Sequence, residues 1–130
     1  MNKTLITKFK LFEKYEDVDP YGEENWDEGK PIIVGNLMVS EDLGRHNWYD
    51  AMELCKNYKG EGFDDWRLLM KEELNELYKY HKKFGGFVAN GYWSSSEYSA
   101  TGAWAQGFGN GNQYNLDKNA NYYVRAVRSF

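Results

Sequence analysis

The sequence has one cysteine, two prolines, no long apolar run and no excess of positive charge. With Cys55 as the single thiol, no intrachain disulfide exists and nothing favours folding in an oxidising compartment. A buried, inert thiol on a helix is its expected state. Few prolines with 28% charged residues do not make a disordered composition. No stretch is long and apolar enough to cross a bilayer, so no membrane insertion is expected. The first ten residues carry lysines but no uninterrupted apolar segment, so no signal peptide is expected and synthesis in the cytoplasm is. A net charge of -4 excludes the clustered cations of a phosphate-binding surface, and no nucleic-acid partner is expected.

What the chain does have is aromatic mass. Five Trp, eleven Tyr and seven Phe favour half-buried strands and amphipathic contact surfaces. The 130 residues are enough for one domain with a single core and no metal or disulfide staple. Charge is unevenly spread: residues 1–84 hold 13 Lys/Arg against 18 Asp/Glu, whereas residues 85–130 hold Lys118, Arg125 and Arg128 against Glu97 and Asp117. The C-terminal third is therefore nearly neutral, which suits shape and hydrogen-bond recognition more than electrostatic steering.

Along the chain, residues 4–12 alternate apolar and polar and predict a first strand. Residues 13–30 crowd eight acids around Pro20, Gly22 and Gly29 and predict an exposed loop; their spacing matches no EF-hand pattern. The apolar run over residues 31–39 predicts one buried strand. Asn47 is placed to cap a helix from Trp48 to about Tyr58, and Leu74, Leu77 and Tyr78 recur at helical spacing over residues 71–81. After Gly85-Gly86 the helical period disappears, and strands are predicted over residues 92–97, 103–108 and 122–128. Strand segments, two helices and then several short antiparallel strands define an α+β domain.

Within the last part, a fixed aromatic and charged frame encloses a filling of small and amide residues. The frame is Gly91-Tyr92-Trp93-Ser94-Ser95-Ser96 at one end and Tyr122-Tyr123-Val124-Arg125-Ala126-Val127-Arg128 at the other. The filling buries little area of its own and must ride on a core supplied by its flanks. Such scaffold-borne segments are where binding concentrates.

Those two frame motifs, with Trp48-Tyr49-Asp50-Ala51-Met52, Asp64-Asp65-Trp66-Arg67-Leu68 and Glu72-Glu73-Leu74, resemble a known family. It is the C-type-lectin-like domain at the C-terminus of bacterial collagen-like adhesins, the Lcl C-terminal-like family, which also supplies variable proteins of diversity-generating retroelements. The resemblance covers roughly residues 34–130 and implies a single C-type-lectin-like domain over residues 1–130, two helices packed on short antiparallel sheets. One departure stands out: the family continues Asp-Trp-Arg-Leu with Pro-Thr, and here Leu69-Met70 removes a pre-set turn and a cap for the second helix.

In retroelement-diversified members, mutagenesis falls on adenines of Asn-type codons in the last loops and strands while the residues between stay constant. By that resemblance the constant residues are Trp104, Gln106, Phe108, Asn112, Gln113 and Lys118, and the binding face is Ser99, Ala100, Thr101, Gly102, Ala105, Gly107, Gly109, Tyr114, Asn115, Leu116 and Asp117. Each of these face residues is reachable from an AAC codon by changing its first two bases. The resemblance implies a protein or cell-surface ligand and a monomer or a trimer; no cofactor and no metal are expected, and a phage-borne tail-tip protein incorporated in a virion, a cytoplasmic protein and a fragment of a larger assembly all stay open.

Two other classes compete. A static carbohydrate-binding lectin would use Trp93, Trp104 and Tyr114 as stacking platforms, although Trp93 and Trp104 are expected to pack inward. Calcium would then draw on Glu97, Asp117 and the asparagines. An enzyme is not expected: the fold also hosts formylglycine-generating enzymes, but their cysteine chemistry cannot run on Cys55 alone. His46 and His81 are expected at the surface or in caps. Asp64-Asp65 and Glu72-Glu73 point apart as sequence neighbours, with Asp65–Arg67 as a structural pair. Arg125 and Arg128 either meet an acidic ligand or anchor the last strand.

Overall fold

In the computed structural model, residues 31–130 are described; the predicted strand over residues 4–12 and the acidic loop over residues 13–30 lie outside them. The elements in chain order are β1 (Ile32–Val34), β2 (Leu37–Val39), β3 (Arg45–His46), α1 (Trp48–Asn57), β4 (Arg67–Leu68) and α2 (Lys71–Phe84). Then come β5 (Gly91–Glu97), β6 (Gly102–Gly107), β7 (Gln113–Asp117), β8 (Tyr122–Tyr123) and β9 (Ala126–Ser129).

Two sheets form, in the orders β1-β2-β9-β4 and β3-β8-β5-β6-β7. Every pairing is antiparallel except the single parallel bridge of Tyr92 with Tyr123. The apolar run predicted as one buried strand is a hairpin. It breaks at Gly35, whose φ of +60° is a left-handed conformation that glycine adopts without strain.

Alternation along the strands sends side chains to two cores on opposite faces. Ile33, Met38, Leu68, Trp93, Val124 and Ala126 pack with Trp48, Ala51 and Cys55 of α1. Ile32, Val34, Val39, Tyr92, Phe108 and Val127 pack with Leu74 and Leu77 of α2. Adjacent residues Tyr92 and Trp93, or Ala126 and Val127, therefore serve different helices. Cys55 is fully buried among apolar groups, and burial pushes its thiol up to about 12, so it is an inert packing residue.

The helices start as sterically they must, with their first N–H groups satisfied. Asn47 Oδ1 accepts the Asp50 N–H at 2.8 Å and caps α1. At α2 the missing Thr cap is supplied from elsewhere in the chain. Ser96 Oγ accepts the Lys71 N–H at 3.0 Å, and the Glu73 carboxylate accepts the Met70 N–H at 2.8 Å. The helix runs three residues beyond its predicted end and stops at Gly85, with φ at +70° and its N–H on the His81 carbonyl at 2.9 Å.

The strand predicted over residues 122–128 is two strands in two sheets. Val124 and Arg125 carry the chain from β8 to β9, and Arg125 secures the crossing by donating to the carbonyls of Ser40 (2.9 Å) and Gly86 (2.7 Å). Its guanidinium lies 4.0 Å from the Phe87 ring centroid. Arg128 grips Asp65 with two hydrogen bonds of 2.6 and 3.0 Å, and these hold the Asp65 carboxyl below its ordinary value. Asp65 is thus paired with Arg128, not with Arg67, which instead makes a two-pronged bridge to Glu73 at 2.8 Å. Partial burial pushes the Glu73 carboxyl up, but bonds from Arg67 and the Met70 N–H outweigh it and leave it below its usual range. Both arginines anchor the C-terminal segment to the rest of the fold.

Candidate functional site: the β6–β7 hairpin and the loop before it

β6 lies between β5 and β7, and β7 is the edge of its sheet. The sequence predicts no strand over residues 113–117; there Tyr114 and Leu116 alternate with Gln113, Asn115 and Asp117 on a true strand. Cross-strand partners share a face, so Trp104 stands beside Asn115 and Gln106 beside Gln113, with Ala105 beside Tyr114 and Ala103 beside Leu116 on the other face.

Small residues need a backbone held by other means, and three serines supply part of it. Between Trp93 and Glu97 the register of β5 slips against β6, so that Trp93 faces Ala105 and Glu97 faces Ala103. The bulge would leave backbone groups unpaired. Ser94 Oγ donates to the Trp104 carbonyl at 2.7 Å and accepts the Ser96 N–H at 3.1 Å, while the Ser95 N–H reaches the Leu69 carbonyl at 2.7 Å.

Two glutamines supply the rest. Gln106, 0% exposed, donates to the Gly111 carbonyl at 2.8 Å and accepts from Gln113 Nε2 at 2.9 Å; Gln113 Nε2 also donates to the Lys71 carbonyl at 2.8 Å. This clip ties the hairpin turn to the start of α2. Phe108 is buried against Tyr78, Phe87 and Tyr92. Of the residues the resemblance gives as constant, Gln106, Phe108 and Lys118 are buried, Trp104, Gln113 are half-buried, and Asn112 is exposed.

The eleven face residues divide by exposure. Ser99, Ala100, Thr101, Gly109, Tyr114, Asn115 and Asp117 are exposed and Leu116 is half-buried. Gly102, Ala105 and Gly107 are buried. Gly107 lies under Asn110 and Tyr114, and Gly102 under Asn115 and Ser99, so the exposed members cover them. Ala105 belongs to the α1-side core. The Tyr114 hydroxyl accepts from Asn110 Nδ2 at 2.6 Å, a bond that lowers the pKa of this exposed phenol.

The aromatic platforms also separate. Trp93 is 0% exposed, with Nε1 donating to the His46 carbonyl at 2.9 Å, and offers no stacking face. Trp104 does not pack inward as expected. It is half-buried, with Tyr98 edge-on at 5.3 Å and Lys71 Nζ 4.4 Å from its ring centroid. Neither Tyr98, 58% exposed, nor Lys71 is singled out by sequence reasoning. The available signal is that Tyr98 is a bulky aromatic directly before a run of small residues. His46 and His81 bond the carbonyls of Leu43 and Tyr78, local contacts at half-buried positions.

Among solved structures, botrocetin aligns with a TM-score of 0.55 over 80% of this chain and 99% of its own, at 10% identity. That likeness defines the fold as C-type-lectin-like. No curated protein matches the sequence. The family model of the Lcl C-terminal domain matches residues 24–128, and the chain belongs to that family. Fold and family fit a ligand-binding domain.

Proposed function

We propose that this domain binds a protein or cell-surface ligand, performs no chemistry, and does so through the C-terminal face of about residues 99–121. The face is diversified by a retroelement in a phage-borne gene, and the protein is displayed on a virion. One observation carries the reading: buried polar and aromatic residues alternate with exposed ones along a single hairpin. Gln106, Phe108 and Lys118 fix the backbone from below, whereas Ser99, Thr101, Tyr114, Asn115 and Asp117 are exposed, with Ser99 and Asp117 bonding only the backbone of their own turns. Tyr, Ser, Asn and Gly are residue types that paratopes favour. A protein interface needs about 800 Å² from each partner, an area within reach of such a face with Tyr98 and Trp104 at its middle.

The deciding experiment is to sequence around the gene. A nearby reverse transcriptase and a near-identical repeat of the codons for residues 92–130, differing only at adenines, is the expected result. A neighbourhood without either would sink the diversification. The half-buried Trp104 beside Tyr98 favours a second reading, a fixed carbohydrate-binding domain. A glycan array separates the two: reproducible sugar binding lost in Trp104→Ala supports the second.

A further inference from the structure

Residues 98–101 join β5 to β6 and belong to no strand; the Tyr98 and Ser99 N–H groups on the Gly102 carbonyl and the Ser99 hydroxyl shape the turn, and one buried ammonium ties it to the rest of the fold. The Lys118 side chain is 3% exposed, and its Nζ donates to the Glu97 carboxylate at 2.7 Å and to the Ala100 carbonyl at 3.1 Å. It also stands 4.4 Å from the Trp48 ring centroid. The backbone closes the same seam: the Lys118 N–H donates to the Thr101 carbonyl, and the Lys118 carbonyl accepts the Trp48 N–H, both at 2.9 Å. An ammonium withdrawn from water needs oxygen partners and a counter-charge. Here a carboxylate and a carbonyl from the two sides of Tyr98 supply them, with an indole face beneath.

The two carboxylates nearest the loop each already have a partner. Glu97 and Asp117 are the acidic side chains after residue 85. Glu97 meets Lys118, and Asp117 Oδ1 accepts the Asn119 N–H at 2.8 Å in its own turn. Among the described residues no group of three or more His, Cys, Asp or Glu could hold a metal. Calcium takes six to eight oxygens, with carboxylates prominent among them.

We propose that Lys118 is a positioning residue: its ammonium is the built-in cation of the loop, so that residues 97–101 are set in place, and the binding face completed, without a divalent metal. The proposal rests on the function proposed above only for the loop's membership of the binding face. The loop's order itself is measured with no ligand present, so a failed partner search leaves it standing.

Amide hydrogen exchange on the whole chain tests it, in calcium and in chelator. The wild-type segment 97–102 is expected to exchange at the same rate in both, and Lys118→Met and Glu97→Gln are each expected to speed it about tenfold or more while α2 keeps its protection. The Glu97 side chain is 59% exposed, so Glu97→Gln keeps the test open if Lys118→Met does not fold. Calcium slowing exchange in the wild-type loop would overturn the proposal. So would unchanged loop protection in Glu97→Gln, or faster exchange spread evenly through α2, which would make Lys118 a support of the whole fold and not of the loop.

Discussion

The α1 and α2 cores and the β6–β7 hairpin are parts of one two-sheet fold held by different physics. Around the helices, Trp93, Trp48, Leu74 and Leu77 are buried and the fixing force is apolar area removed from water. On the hairpin, alanines and glycines contribute little area, and Ser94, Gln106, Gln113 and Lys118 fix the backbone by directed hydrogen bonds. The lesson is a division of labour. Side chains that tie the hairpin to the rest of the fold point into the protein, and the exposed ones bond at most within their own turns.

The sharpest break of that comparison is Trp93→Ala, which opens a cavity next to α1 and is expected to cost about 3–5 kcal/mol in urea unfolding. A cost under about 1 kcal/mol would mean that the α1 core is not the main support. Gln106→Ala comes next, at about 1–3 kcal/mol, because it strands the Gly111 carbonyl and frees Gln113. Its hydrogen-exchange signature should be confined to the hairpin turn.

Acid gives a smaller, distributed effect. The Asp65 and Glu73 carboxyls sit below their ordinary values in the fold, so their contribution to stability is whole above the unfolded values and is lost as pH falls through the lower folded ones. Urea midpoints should therefore hold down to about pH 5 and decline below about pH 4, and Asp65→Asn should flatten part of that decline. Smallest of all are Asn115→Ala and Asp117→Ala, each expected to shift stability by no more than about 0.5 kcal/mol. A loss above about 2 kcal/mol at either would show that the surface set carries structure after all.

Much of the helical half is legible in the sequence because its signals are local. Asn47 announces the start of α1, and the spacing of Leu74 and Leu77 announces α2. The partners that tune those elements are not local. Ser96 caps α2 across 25 residues and Asp65 meets Arg128 across 63, and no short-range pattern encodes either. The apolar run over residues 31–39 hides a turn because Asn36 is its only polar residue. β7 escapes because its alternation is set among glycines and asparagines that read as loop. The alternation from Tyr122 to Arg128 continues through a change of sheet, since both faces are buried on either side of Arg125. Lys118 is named by resemblance alone, and its burial has no signature in hydrophobic periodicity.

The position of β9 gives the molecule a proofreading property. This strand lies between β2 and β4, so the middle of the first sheet is built from residues 126–129, downstream of the whole β6–β7 hairpin. A chain that loses its reading frame or meets a stop codon anywhere in residues 99–121 never makes β9, and β2 and β4 are left as separate edges with no strand to join them. Only messages translated in frame through the entire hairpin supply the strand that closes the first sheet.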